Sequence, residues 1–303
     1  MLDNIALLYP YGFSIPYEQL RIGIAVIGTA SATYYDLTNN RNVPNSLLYA
    51  FLAAALLVNA FGMGGHLAYT IAISIAIFAV GWMFYRAGQI GGADVFVLAS
   101  ISLLLPVQPV SLLQVQQPID ALQMPFTLYI FAIAGLVFIL AMLVNYAPSA
   151  FSAYRRGKVK VGMEKWAYVA AILILYMGFL YISRSIPFIP GFYSILLGIL
   201  VIASIFFMIF REFVRSEMLA SVPFAQIEEE DVLAIEHIPQ KMVDKYSIPR
   251  VIGADDIARL KRLSVPLKKW PVYKKMQVFL PYVLIGLIAM LLIGDPFMLL
   301  SGF

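Results

Sequence analysis

The feature that most limits this chain is a succession of apolar runs, each near the ~20 residues a helix needs to cross the ~30 Å hydrocarbon core of a bilayer. They fall at 17–35, 46–62, 67–85, 94–106, 125–146, 165–183, 190–210 and 276–294. Lipid offers no partner to a backbone N–H or C=O, so runs of this length are stable in a membrane as helices. The expected fold is therefore an all-α polytopic membrane protein of about eight transmembrane helices. Composition agrees: 61% of residues are hydrophobic and 13% charged, against roughly a quarter charged in soluble domains. The fourth run meets Pro106 and Pro109, which end or break a helix. The stretch from Val107 to Pro125 is expected as a loop or re-entrant piece.

The basic residues alternate with the runs. Of 21 Lys and Arg, all but Arg21 and Arg184 fall on one side: Arg41, Arg86, the cluster Arg155, Arg156, Lys158, Lys160 and Lys165, and every basic residue from Arg211 to Lys275. The positive-inside rule makes that side cytoplasmic and sends both termini outward. Each cluster alone could be a solvated loop, but the alternation is what a multi-pass topology produces. No basic, apolar and small-residue leader pattern opens the chain, so the first helix is expected to direct insertion.

Three regions follow: a membrane domain over 1–211, a small cytoplasmic domain over 212–275, and a final transmembrane helix with an outward C-terminus over 276–303. In the middle region the composition turns charged and Pro-punctuated, with the acidic run Glu228-Glu229-Glu230-Asp231 ahead of Val232-Leu233-Ala234-Ile235. It reads as a small α+β insert before the last helix, in which Asp255 or Asp256 caps a short helix ending at Leu263. Lys268, Lys269, Lys274 and Lys275 would meet anionic lipid just before the last helix.

Ionisable groups at membrane depth are expensive and mark candidate sites. Asp36 closes the first run in Thr33-Tyr34-Tyr35-Asp36-Leu37-Thr38, ahead of an Asn-rich loop containing Pro44-Asn45. Asp94 follows Gly91-Gly92-Ala93 and opens the apolar run from Val95 to Ala99. The topology puts both carboxylates at the cytoplasmic boundary. Two carboxylates facing one water can share a proton, because like charges ~3 Å apart do not both ionise cheaply; one then serves as base and the other as acid. That pair activates water without a metal or a covalent intermediate. Small residues at 91–93 allow a tight turn and leave room for an extended substrate. Each Asp alone is also what a solvated helix end carries, so the pairing is what suggests chemistry.

Other chemistries lack residues. The chain has no cysteine, which excludes disulfides, thiolate metal sites and a cysteine nucleophile. His66 and His237 are far apart in the sequence and assemble no metal constellation, and no cofactor is expected. No serine sits at a Gly-flanked turn with a histidine partner. Asp120, Asp295 and Glu164 fit surface roles, and Tyr34, Tyr35 and Trp82 fit an interfacial aromatic belt.

At Asp36-Leu37-Thr38 with Pro44-Asn45, and at Gly91-Gly92-Ala93-Asp94, the sequence resembles the archaeal preflagellin and type IV prepilin peptidases, aspartyl membrane proteases of the GxGD type. Ala93 stands where that pattern has its second Gly, and the helix pair at about 165–210 adds to a six-helix layout. The resemblance implies Asp36 and Asp94 as catalytic residues, with Gly91, Gly92, Ala93, Thr38, Pro44 and Asn45 shaping the site or binding substrate. It also implies prepilin- or preflagellin-like membrane partners with class III signal peptides, cut at the cytoplasmic face, and no nucleic-acid role. A proton- or cation-coupled transporter using the acidic pair is the alternative, and a membrane scaffold with passive acids is a third reading.

Overall fold

The structure is a computed structural model describing residues 15–39, 42–62, 67–109, 125–159, 161–185, 191–263, 265–274 and 277–294. Most of the Val107–Pro125 loop, with Asp120, lies outside the described residues, as do Arg41, His66, Lys160, Lys275 and Asp295. Helices occupy the positions of all eight apolar runs: α1 (Glu18–Thr38), α2 (Asn45–Gly62), α3 (Leu67–Arg86), α4 (Gly92–Leu104), α5 (Phe126–Arg155), α6 (Met163–Ser185), α7 (Gly191–Met218) and, after the charged region, α10 (Leu280–Ile293). Four stretches are long and apolar enough to cross a membrane: Leu67–Arg86, Phe126–Arg155, Met163–Arg184 and Ser194–Met218. Asn45–Phe61, Gly92–Leu104 and Leu280–Ile293 are shorter apolar helices. This is a helical membrane protein.

The first helix inverts the soluble pattern. Arg21, Ala25, Thr29, Ala32, Thr33 and Asp36 form its buried face, while Leu20, Ile27 and Tyr34 point outward. The spacing of three and four residues puts the polar groups on one stripe, and that stripe faces protein because lipid cannot satisfy it.

At the centre stands α4, with nearly every residue buried. At 1.5 Å per residue its 13 residues reach about 20 Å, and its C-terminal end at Leu104 and Leu105 is buried. It is packed by α1, α2 and α3. Gly81 lets α3 approach so closely that a Cβ there would stand 3.0 Å from Val95, and Ser74 Oγ donates to the Ala99 carbonyl at 2.9 Å. On α1, Gly28 admits the ring of Phe51 from α2. The apolar core runs from these helices into α5 and α10 through Ile101, Phe126, Ile130, Leu280 and Leu287. The pair α6 and α7 sits apart from it, with α7 meeting the later half of α5 around Ala150, Phe206, Phe210 and Val214.

Between α7 and α10 the chain forms a second small core. Strands β1 (Ala220–Val222) and β2 (Trp270–Val272) pair antiparallel with Ser221 opposite Pro271, and α8 (Gln240–Tyr246) and α9 (Ala254–Arg262) flank them. Trp270, Leu233, Ile252 and Leu260 fill its interior. The cap of α9 differs from expectation. Gly253 is the capping residue and donates its N–H to Asp256 Oδ2 at 3.2 Å, three residues ahead. Asp256 acts from within the first turn, where an acid also complements the helix dipole.

Candidate active site

A helix must find partners for its first N–H and last C=O groups. At the C-terminal end of α4 the solution is Arg21, fully buried. Its Nη1 donates to the carbonyls of Leu103 at 3.4 Å and Leu104 at 3.2 Å and to Asn59 Oδ1 at 3.0 Å. Its Nη2 reaches the Val58 carbonyl at 3.2 Å and its Nε the Pro16 carbonyl at 2.8 Å. Asn59 Nδ2 adds a bond to the Leu103 carbonyl at 2.7 Å. A cation suits helix C-termini, where the dipole is negative, and the guanidinium supplies enough donors for two helix ends.

The N-terminal end of α4 gathers acids. Asp94, buried, accepts the Gly91 N–H through Oδ2 at 2.8 Å. Asp36, buried at the end of α1, lies close enough for its charge to act on Asp94. A third carboxylate, Glu230, acts on Asp94 from the insert and lies against Gly92 at the start of α4. Much of Glu230 is exposed, yet packing around its carboxylate raises its pKa, and the neighbouring Glu229 adds to the rise.

Glycine is required in this turn. Gly88 has φ 69°, and a Cβ there would stand 3.2 Å from both Arg250 Nε and Val232 Cγ1. At Gly92 a Cβ would stand 2.7 Å from Glu230 Oε1. Ala93 is half-buried and packs against the helical core.

The remaining expected residues serve the α1–α2 connection. Thr38 Oγ1 donates back to the Tyr34 carbonyl at 2.7 Å. The Pro44 carbonyl accepts from Leu47 at 2.9 Å as α2 begins, and Asn45 is the exposed first residue of that helix. Glu164, in the first turn of α6, accepts from the Tyr168 hydroxyl, and His237 is exposed. Among the described residues no group of three or more His, Asp or Glu is placed to hold a metal ion.

Residues 23–143, which contain Asp36, Asp94 and the turn before it, match the model of the type IV leader peptidase family. The match covers less than half of the chain and is a likeness to that family over this segment. With the apolar helices, the likeness is in keeping with a multi-pass membrane protein. It does not favour the transporter reading. Among curated proteins and among solved structures, none matches the chain.

Two residues of this arrangement escape sequence reasoning. Arg21 sits just inside the first apolar run, and counting it only as a topological charge hid it; the cost of ionisable groups at membrane depth applies to bases as to acids. Glu230 belongs to a visible acidic run, but no spacing ties position 230 to position 92.

Proposed function

We propose that this chain is a membrane-embedded aspartyl endopeptidase. It removes the basic leader of class III signal peptides from prepilin- or preflagellin-like proteins at the cytoplasmic membrane face. The observation that carries the reading is the pair Asp36 and Asp94, both buried, at neighbouring ends of α1 and α4 and within electrostatic reach, inside the segment that matches leader peptidases. With one proton between them, the ionised carboxylate takes a proton from water as its oxygen attacks the scissile carbonyl. The protonated carboxyl donates to the carbonyl oxygen, and the C–N bond then breaks as the departing nitrogen is protonated. The Gly91 N–H fixes one Asp94 oxygen, which orients the other. Gly91, Gly92 and Ala93 leave room for an extended chain, and Thr38, Pro44 and Asn45 shape the opposite rim.

In this reading residues 1–211 form the membrane domain, 212–275 the cytoplasmic domain and 276–303 the last span, with eight crossings and both termini outside. The alternation of basic residues supports it. The substrate lies in the membrane with a small residue at the cut site, at the height of the two carboxylates. The test is leader cleavage of a co-expressed prepilin-like protein by Asp36→Asn and Asp94→Asn variants that still insert. Each is expected to abolish processing, and cleavage retained by either would overturn the assignment.

A further inference from the structure

The insert meets the candidate site at the turn before Asp94, at Gly88 and Gly92. Its acidic turn is built to hold a set shape: the Glu228 N–H donates to Asp231 Oδ2 at 2.8 Å, and Lys274 Nζ bridges that oxygen at 2.9 Å and Glu228 Oε2 at 3.3 Å. The Glu230 N–H donates to the Ile252 carbonyl at 2.8 Å, and the Ile252 N–H returns to the Asp231 carbonyl at 3.1 Å. Glu230 itself has φ 69°, a left-handed conformation uncommon for a residue with a side chain and a recurrent mark of functional positions. Beside it, Val232 and Arg250 press on Gly88. The turn before Asp94 thus meets the insert at both ends, Gly88 and Gly92.

We propose that Glu230 is a positioning residue for Asp94: by seating its carboxylate against Gly92 it holds the Gly91–Asp94 turn in register, so that the insert completes the site at the N-terminus of α4. The inference rests on the peptidase reading above. Three features support it. The carboxylate lies against Gly92, the first residue of α4 and two residues before Asp94, where a negative group is favoured by the dipole. The Gly92 position has no room for a side chain while Glu230 is in place. The strained backbone at Glu230 is held by main-chain bonds to the strand-like segment at Ile252, so the energy of the insert core is available to keep it there. Asp36, Asp94, Glu229, Tyr85, Arg86 and Arg250 are titratable or charged groups that share this corner.

The experiment uses the full chain in membrane vesicles with a purified prepilin-like protein as substrate, and reads kcat and KM per folded enzyme, with protease resistance of the insert as the measure of folding. Glu230→Ala is expected to lower kcat by about tenfold to a hundredfold with KM within about twofold, the scale of a small misplacement of a reacting group. Glu230→Gln, which keeps an acceptor at the same reach, recovers kcat to within about threefold. Gly92→Ala, which displaces the carboxylate, produces a loss like that of Glu230→Ala. The double variant is no worse than either single one, because both break one contact.

An insert that remains protease-resistant while kcat falls is the signature of positioning; a loss of resistance with kcat per folded enzyme unchanged overturns it in favour of a purely structural cap. Full kcat in Glu230→Ala, or an additive double variant, overturns the inference alone, provided that Asp36→Asn and Asp94→Asn are inactive in the same assay. Should either of those two still cleave, the peptidase reading fails instead. If Glu230→Ala does not insert, Gly92→Ala and Glu230→Gln decide the matter by the same criteria.

Discussion

Arg21 is the residue whose loss should most disturb the membrane core. Arg21→Met keeps a long, flexible side chain and removes every donor, so packing is roughly preserved while the ties to α2 and α4 vanish. Four of its hydrogen bonds reach those helices, to Asn59, Leu103, Leu104 and Val58. Interhelical hydrogen bonds in membrane proteins average about 0.6 kcal/mol, which puts the direct loss at about 2–3 kcal/mol. Asn59 still serves the Leu103 carbonyl, so the carbonyls of Leu104 and Val58 bear most of the added cost of being left without a partner. Relief from burying a guanidinium offsets part of this, which keeps the expected total near 2–3 kcal/mol on the same basis. The assay is reversible unfolding in mixed micelles by SDS titration, following tryptophan fluorescence. Arg21→Lys, with a point charge in place of a fork of donors, should fall between the two. An Arg21→Met midpoint corresponding to less than about 0.5 kcal/mol of change would refute the view that this side chain holds the end of α4.

Gly286 and Tyr273 provide two further tests. A Cβ at Gly286 would stand 2.7 Å from the Ile130 carbonyl oxygen and 3.3 Å from the Ala134 nitrogen; Gly286→Ala should push α10 off α5 and cost about 1–3 kcal/mol in the same titration. Gly135→Ala, with nothing within 4 Å of its Cβ, should be neutral or slightly stabilising. Burial and the hydrogen bond to Glu236 push the Tyr273 hydroxyl up to about 12. A raised folded-state value means that its contribution is fully present below the ordinary tyrosine range near pH 10 and is lost as pH climbs toward 12. Protease protection of the insert should therefore decline across that window by on the order of 2 kcal/mol more in the parent than in Tyr273→Phe; equal slopes would exclude this contact as the cause.

The helices were legible because lipid makes their backbone accounting local. A run of apolar residues in a bilayer has one way to satisfy its N–H and C=O groups, and the pattern at 126–155 or 191–218 announces it without knowledge of any neighbour. Asp36 and Asp94 were legible for a related reason, since charges beside apolar runs stand out. The α9 cap was less so: Gly253, Asp255 and Asp256 offer similar local chemistry, and the choice of Gly253 depends on where the chain enters from Ile252.

What the sequence alone determined, then, is that the chain lives in a membrane as a set of helices with two acids at helix boundaries. Tertiary structure alone decided which partners close the ends of α4. Arg21 lies 82 residues from Leu103, and Glu230 reaches Gly92 from the far side of three intervening helices. A short helix takes its end partners from whatever the fold brings there, and no local spacing records that choice. The same physics places cations at one end of α4 and carboxylates at the other, beside Asp36 and Asp94.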